Sequence, residues 1–171
     1  YCATEPRMRA IFEVVHEQGV GHPVTILIDE RAYSENLLNH IPAVSLMTTV
    51  RPLAQTRRIL EIGGGYGVFA QIITQLQQDT LDYLVLVDIP PILYVATQYL
   101  KALFPDRILD YRMLHDTPVI DAAMLQGKIA LIPPWMLERL ACDFDLLWSV
   151  GAFQEMEKDR VQMYLDQAAK R

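Results

Sequence analysis

The sequence is poor in cysteine: only Cys2 and Cys142 occur in 171 residues, far apart and without a companion Cys-His spacing. That argues against a disulfide framework and a structural zinc site, and it makes a reduced, cytoplasmic setting the default expectation. No uninterrupted apolar run reaches the about 18 residues of a membrane span, and the opening residues lack the pattern of a secretory signal, so no membrane partner is expected. Basic charge is also scarce, with 15 Lys and Arg against 21 Asp and Glu and a net charge of −6. A nucleic-acid binder would normally present a basic face, so nucleic acid is disfavoured as a partner. No cluster of His, Asp and Glu has metal-ligand spacing, and nothing in the sequence specifies an oligomeric state. The chain opens on Tyr1 rather than methionine, as expected of a processed protein or a piece of a longer one.

What is present is a core-forming composition, 51% hydrophobic and 21% charged, in a length that suits one domain. The chain is organised around residues 58 to 88. Arg58 to Ile62 reads as a strand, Gly63-Gly64-Gly65-Tyr66-Gly67 as a loop, Val68 to Gln78 as a helix and Tyr83 to Val87 as a second strand, ending in Asp88. Phe69, Ile72, Ile73 and Leu76 recur at i, i+3, i+4 and i+7, one stripe of a helix, while the flanking runs are short and apolar. A loop with so little side chain can bring bare backbone N–H groups against a ligand at the positive end of a helix. Asp88 follows the last loop glycine at about the 20-residue offset at which such an acid meets ribose hydroxyls. A dinucleotide fingerprint starting at Gly63 would require glycine at position 68, where the chain has Val68. The glycines instead spell G-x-G-x-G, preceded by Glu61.

This stretch resembles motif I of the class I S-adenosylmethionine-dependent methyltransferases. The resemblance implies S-adenosylmethionine as cofactor. Gly63, Gly64, Gly65, Tyr66 and Gly67 would wrap its methionine end, Glu61 would lie near its ammonium group, and Asp88 with Ile89 would bind the ribose. A glycine-rich turn in some other doubly wound protein is the bland alternative.

Before this unit lies a leader, residues 1–56, expected to be helical: Met8, Ile11, Phe12 and Val15 repeat at helical spacing, with Pro6 early and Gly19 as a stop. Val24 to Ile28 could be a strand or a helix start. Ser34 can cap a helix through Leu37, Leu38 and Ile41 that Pro42 should end or kink. The leader could cap the cofactor or serve as a packing layer, and packing is preferred for any one of its residues, His16, His22, Tyr33 and His40 included. After Asp88, Pro90-Pro91 open a helix closed by Pro105. Ile108 to Leu114 reads as a strand, Val119 to Leu125 as a short helix capped at Thr117, and Lys128 to Ile132 as a strand. Phe144 to Val150 gives a further strand, and Val161, Tyr164, Leu165 and Ala168 mark a last helix. Alternation of this kind gives an α/β, Rossmann-like, doubly wound parallel sheet over residues 57–171, with ligands at the carboxyl ends of its strands.

Val87 to Pro90, Ile132-Pro133-Pro134-Trp135, and Phe144-Asp145 through Ser149 to Met156 are further similar to segments of the sugar O-methyltransferase family, so the resemblance covers roughly Arg57 to Arg171. In such a sheet Pro134 and Trp135 should lie beside Asp88, where they would meet the adenine, and Ser149 and Val150 should line the last strand end, although Trp135 could equally be a core tryptophan. The chain departs from the family at Ser149 and Ala152, where asparagine and serine are usual. It also has no residues for the antiparallel C-terminal hairpin with which such sheets finish, so a sheet lacking that hairpin is expected. Methyl transfer to a hydroxyl is helped by a general base. Glu155, just past the last strand end, is the first candidate and His115-Asp116 the second, while a plain acid near a helix start remains the alternative for Glu155. The function expected is O-methylation of a sugar or other small hydroxylated metabolite. A non-catalytic Rossmann-like binding domain and, less favoured, a nucleotide-dependent oxidoreductase stand as alternatives.

Overall fold

In the computed structural model, which describes residues 6–170, the leader begins with helix α1 (Pro6–Val14), a hairpin of β1 (Thr25–Ile28) and β2 (Arg31–Ser34), and helix α2 (Glu35–Val50). The hairpin settles the ambiguity at Val24 to Ile28. Asp29 and Glu30 both take positive φ in a two-residue turn, the geometry that matches strand twist in a tight hairpin. Ser34 caps α2 as expected, its Oγ accepting from the Leu37 N–H. Pro42 does not end that helix, which continues to Val50. Ile41, Val44 and Met47 lie on its buried side, and their burial outweighs the hydrogen bond lost at proline.

The central unit follows as β3 (Arg58–Ile62), α3 (Val68–Leu76), β4 (Tyr83–Val87), α4 (Pro90–Leu103), β5 (Ile108–Asp110), β6 (Ile120–Asp121), α5 (Ala122–Leu125), β7 (Lys128–Ile132), β8 (Leu140–Ala141), β9 (Leu146–Trp148) and α6 (Lys158–Ala169). Five strands form one parallel sheet in the order β5-β7-β4-β3-β9, making this a Rossmann-like α/β fold. The chain winds from β3 toward β5 and β7 and then crosses to the other side of β3 for β9, so the winding reverses beside β3. That is where ligands bind in open sheets of this kind.

Several expected elements came out shorter or displaced: the strand expected over Phe144 to Val150 spans Leu146–Trp148, and the helix expected over Val68 to Gln78 ends at Leu76. The strand from Ile108 stops at Asp110 because the Asp110 carboxylate accepts from the Arg112 N–H at 2.8 Å and pairs with its guanidinium, turning the chain. The short helix is capped by Asp121, whose Oδ1 accepts from the Met124 N–H at 2.9 Å, and not by Thr117.

Side-chain alternation splits the sheet between two apolar layers. Ile59, Leu84, Leu86, Ile129 and Leu131 face α3, α4 and the leader, whose Ile11, Val15, Ile41 and Val44 share that core. Leu60, Ile62, Val85, Val87 and Ile132 face the opposite layer with Met136, Leu137 and Tyr164. At the amino end, Asp145 ties β9 to β3: its carboxylate accepts from the Arg57 and Arg58 N–H groups at 3.1 and 3.0 Å and from the Arg58 guanidinium at 2.7 Å. Among the described residues, no helix is long and apolar enough to cross a membrane.

Candidate functional site

Period-two alternation places Glu61 on the same face as Ile59, opposite Leu86 in the neighbouring strand. A carboxylate therefore occupies a position that the pattern would fill with an apolar side chain. Glu61 is 3% exposed and its Oε2 has no hydrogen-bond partner. Burial, aided by the negative charge of Asp88, pushes its carboxyl up to about 8.

The glycine loop lies directly over this group. A Cβ on Gly64 would fall 2.5 Å from Leu86 Cγ and 2.8 Å from Glu61 Cδ, so only glycine lets the backbone lie against the carboxylate. A Cβ on Gly65 would meet nothing within 4 Å, which makes this the open side of the loop. The Gly63 N–H donates to the Val87 carbonyl at 2.8 Å, and Gly67 stands at the start of α3.

At the adjacent strand end, Asp88 is half-buried and both its oxygens are engaged. Oδ2 accepts from the Gly65 N–H at 2.9 Å and Oδ1 from the Ile89 N–H at 2.8 Å. Burial raises its carboxyl above the usual range despite these two hydrogen bonds. Ile89 itself is exposed.

From the other side, the chain leaving β9 comes against the loop. A Cβ on Gly63 would lie 2.1 Å from the Cβ of Ala152, so the two are packed backbone to methyl. The Ser149 Oγ is buried without a partner, while Val150 is exposed. Glu155 ends a short 3-10 helix, Phe153–Glu155, with its N–H on the Ala152 carbonyl at 3.1 Å. Its side chain is exposed and forms no hydrogen bond or ion pair with a described residue.

Thus Glu61, Gly63 to Gly67, Asp88 and Ser149 to Ala152 converge at one end of β3. Other sequence candidates lie further out. The Tyr66 ring meets Tyr99 edge-on at 4.9 Å and its hydroxyl lies beside Asn36 of the leader, so that side chain joins the loop to the leader. Pro134 follows β7, whose Ile132 carbonyl accepts from the Asp88 N–H at 3.3 Å. Trp135 is 62% exposed, which excludes a core tryptophan; with Pro134, Arg160 and Met163 it lines a groove of about 270 Å³ against α6. His115 pairs with Asp116 at 2.7 Å in an exposed turn after β5, an edge strand three steps from β3, or about 14 Å across the sheet. Among the described residues no group of three His, Cys, Asp or Glu is placed to hold a metal, and Cys2 lies outside them.

Sequence reasoning did not find the Ala152 contact with Gly63 or the approach of α6, whose buried Tyr164 lies within electrostatic range of Asp88. The Tyr164 stripe was visible as helical periodicity, but which sheet face it would cover was not.

Comparison with known proteins adds the following. No family model matches the chain, and no curated protein matches it. Among solved structures it is similar to the methyltransferase domain of the bacterial protein CtHen1, at 16% identity and a TM-score of 0.47, over 77% of this chain and 58% of that one. It is also similar to the pyocyanin biosynthetic protein PhzM, at 14% identity and a TM-score of 0.41, over 71% of this chain and 32% of that one. The chain therefore spans less than two thirds of the length of either. The fold assignment rests on the sheet order and winding described above.

Proposed function

We propose that the protein is an S-adenosylmethionine-dependent methyltransferase that transfers a methyl group to a hydroxyl of a sugar or similar small metabolite. The observation that carries this reading is the buried, unpartnered Glu61 Oε2 beneath Gly64, with Asp88 at the next strand end. A deeply buried carboxylate without a donor is costly unless a cation or strong donor is supplied to it. The amino group of an amino-acid tail has that chemistry. The residues therefore fit S-adenosylmethionine: Glu61 for the ammonium, the open side of the loop at Gly65 for backbone contact, and Asp88 for the ribose hydroxyls.

When bound, the cofactor would supply a methyl group activated by a sulfonium. The chain's own part is to hold the cofactor in place and to take a proton from the acceptor. Glu155 is the proposed base, since it stands three residues beyond Ala152, the residue packed on Gly63, and is bound to no other described group. The acceptor class rests on the sequence resemblance over residues 57–171.

A second reading, a Rossmann-like domain that binds without transferring, draws support from Ala152, a methyl group where the family pattern has a polar residue. Titration of the protein with S-adenosylhomocysteine and separately with NAD tests the cofactor. Binding of the first alone is expected, and binding of NAD alone would overturn the proposal. Binding of S-adenosylhomocysteine without methyl transfer by the full-length protein to any of a panel of sugars would favour the second reading.

A further inference from the structure

Apolar side chains exposed one at a time are ordinary on a protein surface, but in the leader three stand together: Val24 is 92% exposed, Ile26 56% and Leu27 74%. They lie on or beside β1, which pairs with β2 on one side only, so its outer edge is open. The two-residue turn makes Ile28 and Arg31 a hydrogen-bonded pair, and alternation makes Ile26 and Tyr33 the next one. The N–H and C=O groups of Thr25 and Leu27 therefore point outward, away from β2, and no described group meets them. The strand has none of the usual guards of an open edge, since Thr25–Ile28 contains no charge and no proline. The far edge of β2 is partly occupied, the Glu17 N–H donating to the Ala32 carbonyl at 3.0 Å.

An edge of this kind is completed by another strand, and β1 is complementary to itself. A two-fold axis through Ile26 sets two copies antiparallel, with Thr25 of each opposite Leu27 of the other. That register pairs every outward N–H and C=O of the two strands, in four hydrogen bonds. Ile26 then meets Ile26 as a non-hydrogen-bonded pair, where side chains stand closest, and Val24 meets Ile28. These residues share the face of Tyr33, which is buried against Phe12 of α1, so the new apolar contacts extend a core already present. Charge agrees as well: the acidic turn at Asp29 and Glu30 of each copy comes beside His22 of the other, and no like charges face each other. Pro23, which has no N–H, ends the ladder beyond Thr25. We propose that β1 pairs with β1 of a second copy, antiparallel about Ile26, joining two leaders in one four-stranded sheet. A contact between strands of four residues falls at the small end of interfaces, below about 1,200 Å² in total, so the dimer is weak and reversible, with a Kd of roughly 10–100 μM. None of these residues belongs to the glycine-loop site, so the inference stands or falls apart from the proposed activity.

Sedimentation equilibrium of the full chain should show a monomer–dimer equilibrium in that range. Ile26→Lys places two ammonium groups opposite each other and should weaken the dimer at least about tenfold, with an unchanged circular dichroism spectrum because the side chain is exposed. Leu27→Pro deletes one outward N–H per copy, two of the four bonds between copies, while the hairpin keeps its own bonds, and should abolish the dimer. Cysteine pairing reads the register. In a Cys2→Ser background, with Cys142 buried, Ile26→Cys should form a disulfide-linked dimer under oxidised glutathione, because that pair brings the Cα atoms to about 4.5 Å. Thr25→Cys stands two residues out of register with its own copy, beyond disulfide reach, and should not cross-link. A chain that stays monomeric at several times the upper concentration, a dimer that Ile26→Lys leaves intact, or Thr25→Cys cross-linking as readily as Ile26→Cys would each overturn the proposal.

Discussion

The Asp88 carboxylate accepts a hydrogen bond from the Gly65 backbone N–H at 2.9 Å, across the open face of the glycine loop. Each Asp88 oxygen thus accepts one backbone N–H and keeps a second acceptor site, so on the proposed reading ribose hydroxyls would share Asp88 with Gly65 and Ile89. Asp88→Ala removes a charge-assisted contact worth roughly 1.5–3 kcal/mol, so S-adenosylhomocysteine affinity should fall about tenfold or more. Isothermal calorimetry checks this, and unchanged affinity would remove Asp88 from the binding site.

If Glu61 holds the cofactor's ammonium as proposed, binding should depend on pH. Burial and the neighbouring Asp88 push the Glu61 carboxyl from an ordinary value of 4.5 up to about 8. A cationic ligand group favours the ionised form, so below about pH 8 binding should release a proton and strengthen as pH rises, levelling off above it. In the free protein the sign is opposite. Between about 4.5 and 8 the unfolded chain has lost this proton while the folded one keeps it, so stability contributed at low pH is lost as pH rises through that window. Calorimetry in buffers of different ionisation enthalpy measures the proton release. Glu61→Gln should abolish it, and release that persists in that variant would assign it to another group.

Asp145 bears on stability rather than on ligand. Burial works to raise its carboxyl, but hydrogen bonds from the Arg58 side chain and from the Arg57 and Arg58 N–H groups hold it below the usual range. Its contribution is present above the ordinary carboxylate range and is lost as pH falls through the lowered value. Asp145→Ala leaves two backbone donors without their acceptor and should destabilise the fold by about 1–3 kcal/mol in urea unfolding near pH 7. A change within about 0.5 kcal/mol would mean that water replaces the carboxylate at no cost.

If Glu155 serves the acceptor hydroxyl, Glu155→Gln in a full-length, active protein should lower the methyl-transfer rate by about 10²-fold or more with cofactor affinity nearly unchanged. A parallel loss of affinity would instead give the residue a role in shaping the loop through Ala152.

The β-α-β unit was legible because its signals are local: a stripe on α3, apolar runs on both sides and glycines at fixed spacing. That β3, β4, β7 and β9 are parallel members of one sheet also followed from the alternation of strands and helices. Less legible were features decided by a single side chain meeting a nearby backbone group. Asp110 ends β5 by capturing the Arg112 N–H, and Asp121 outcompetes Thr117 as a cap. The hairpin turn at Asp29-Glu30 has no glycine to announce its positive φ. Within the site, the partnerless state of Glu61 and the seating of Ala152 on Gly63 depend on which strands become neighbours, which spacing along the chain does not encode.

The clasp between Arg57 and Asp145 joins residues 88 apart. Closing so long a loop costs chain entropy that is recovered only when β9 docks beside β3, so this pairing belongs to the late, non-local part of folding. Ala152, which seats Gly63, arrives with β9. A refolding molecule can therefore have a finished β3-α3-β4 unit and still hold its glycine loop in the wrong shape, and the ability to bind should emerge with the slowest folding phase rather than with the first helical signal.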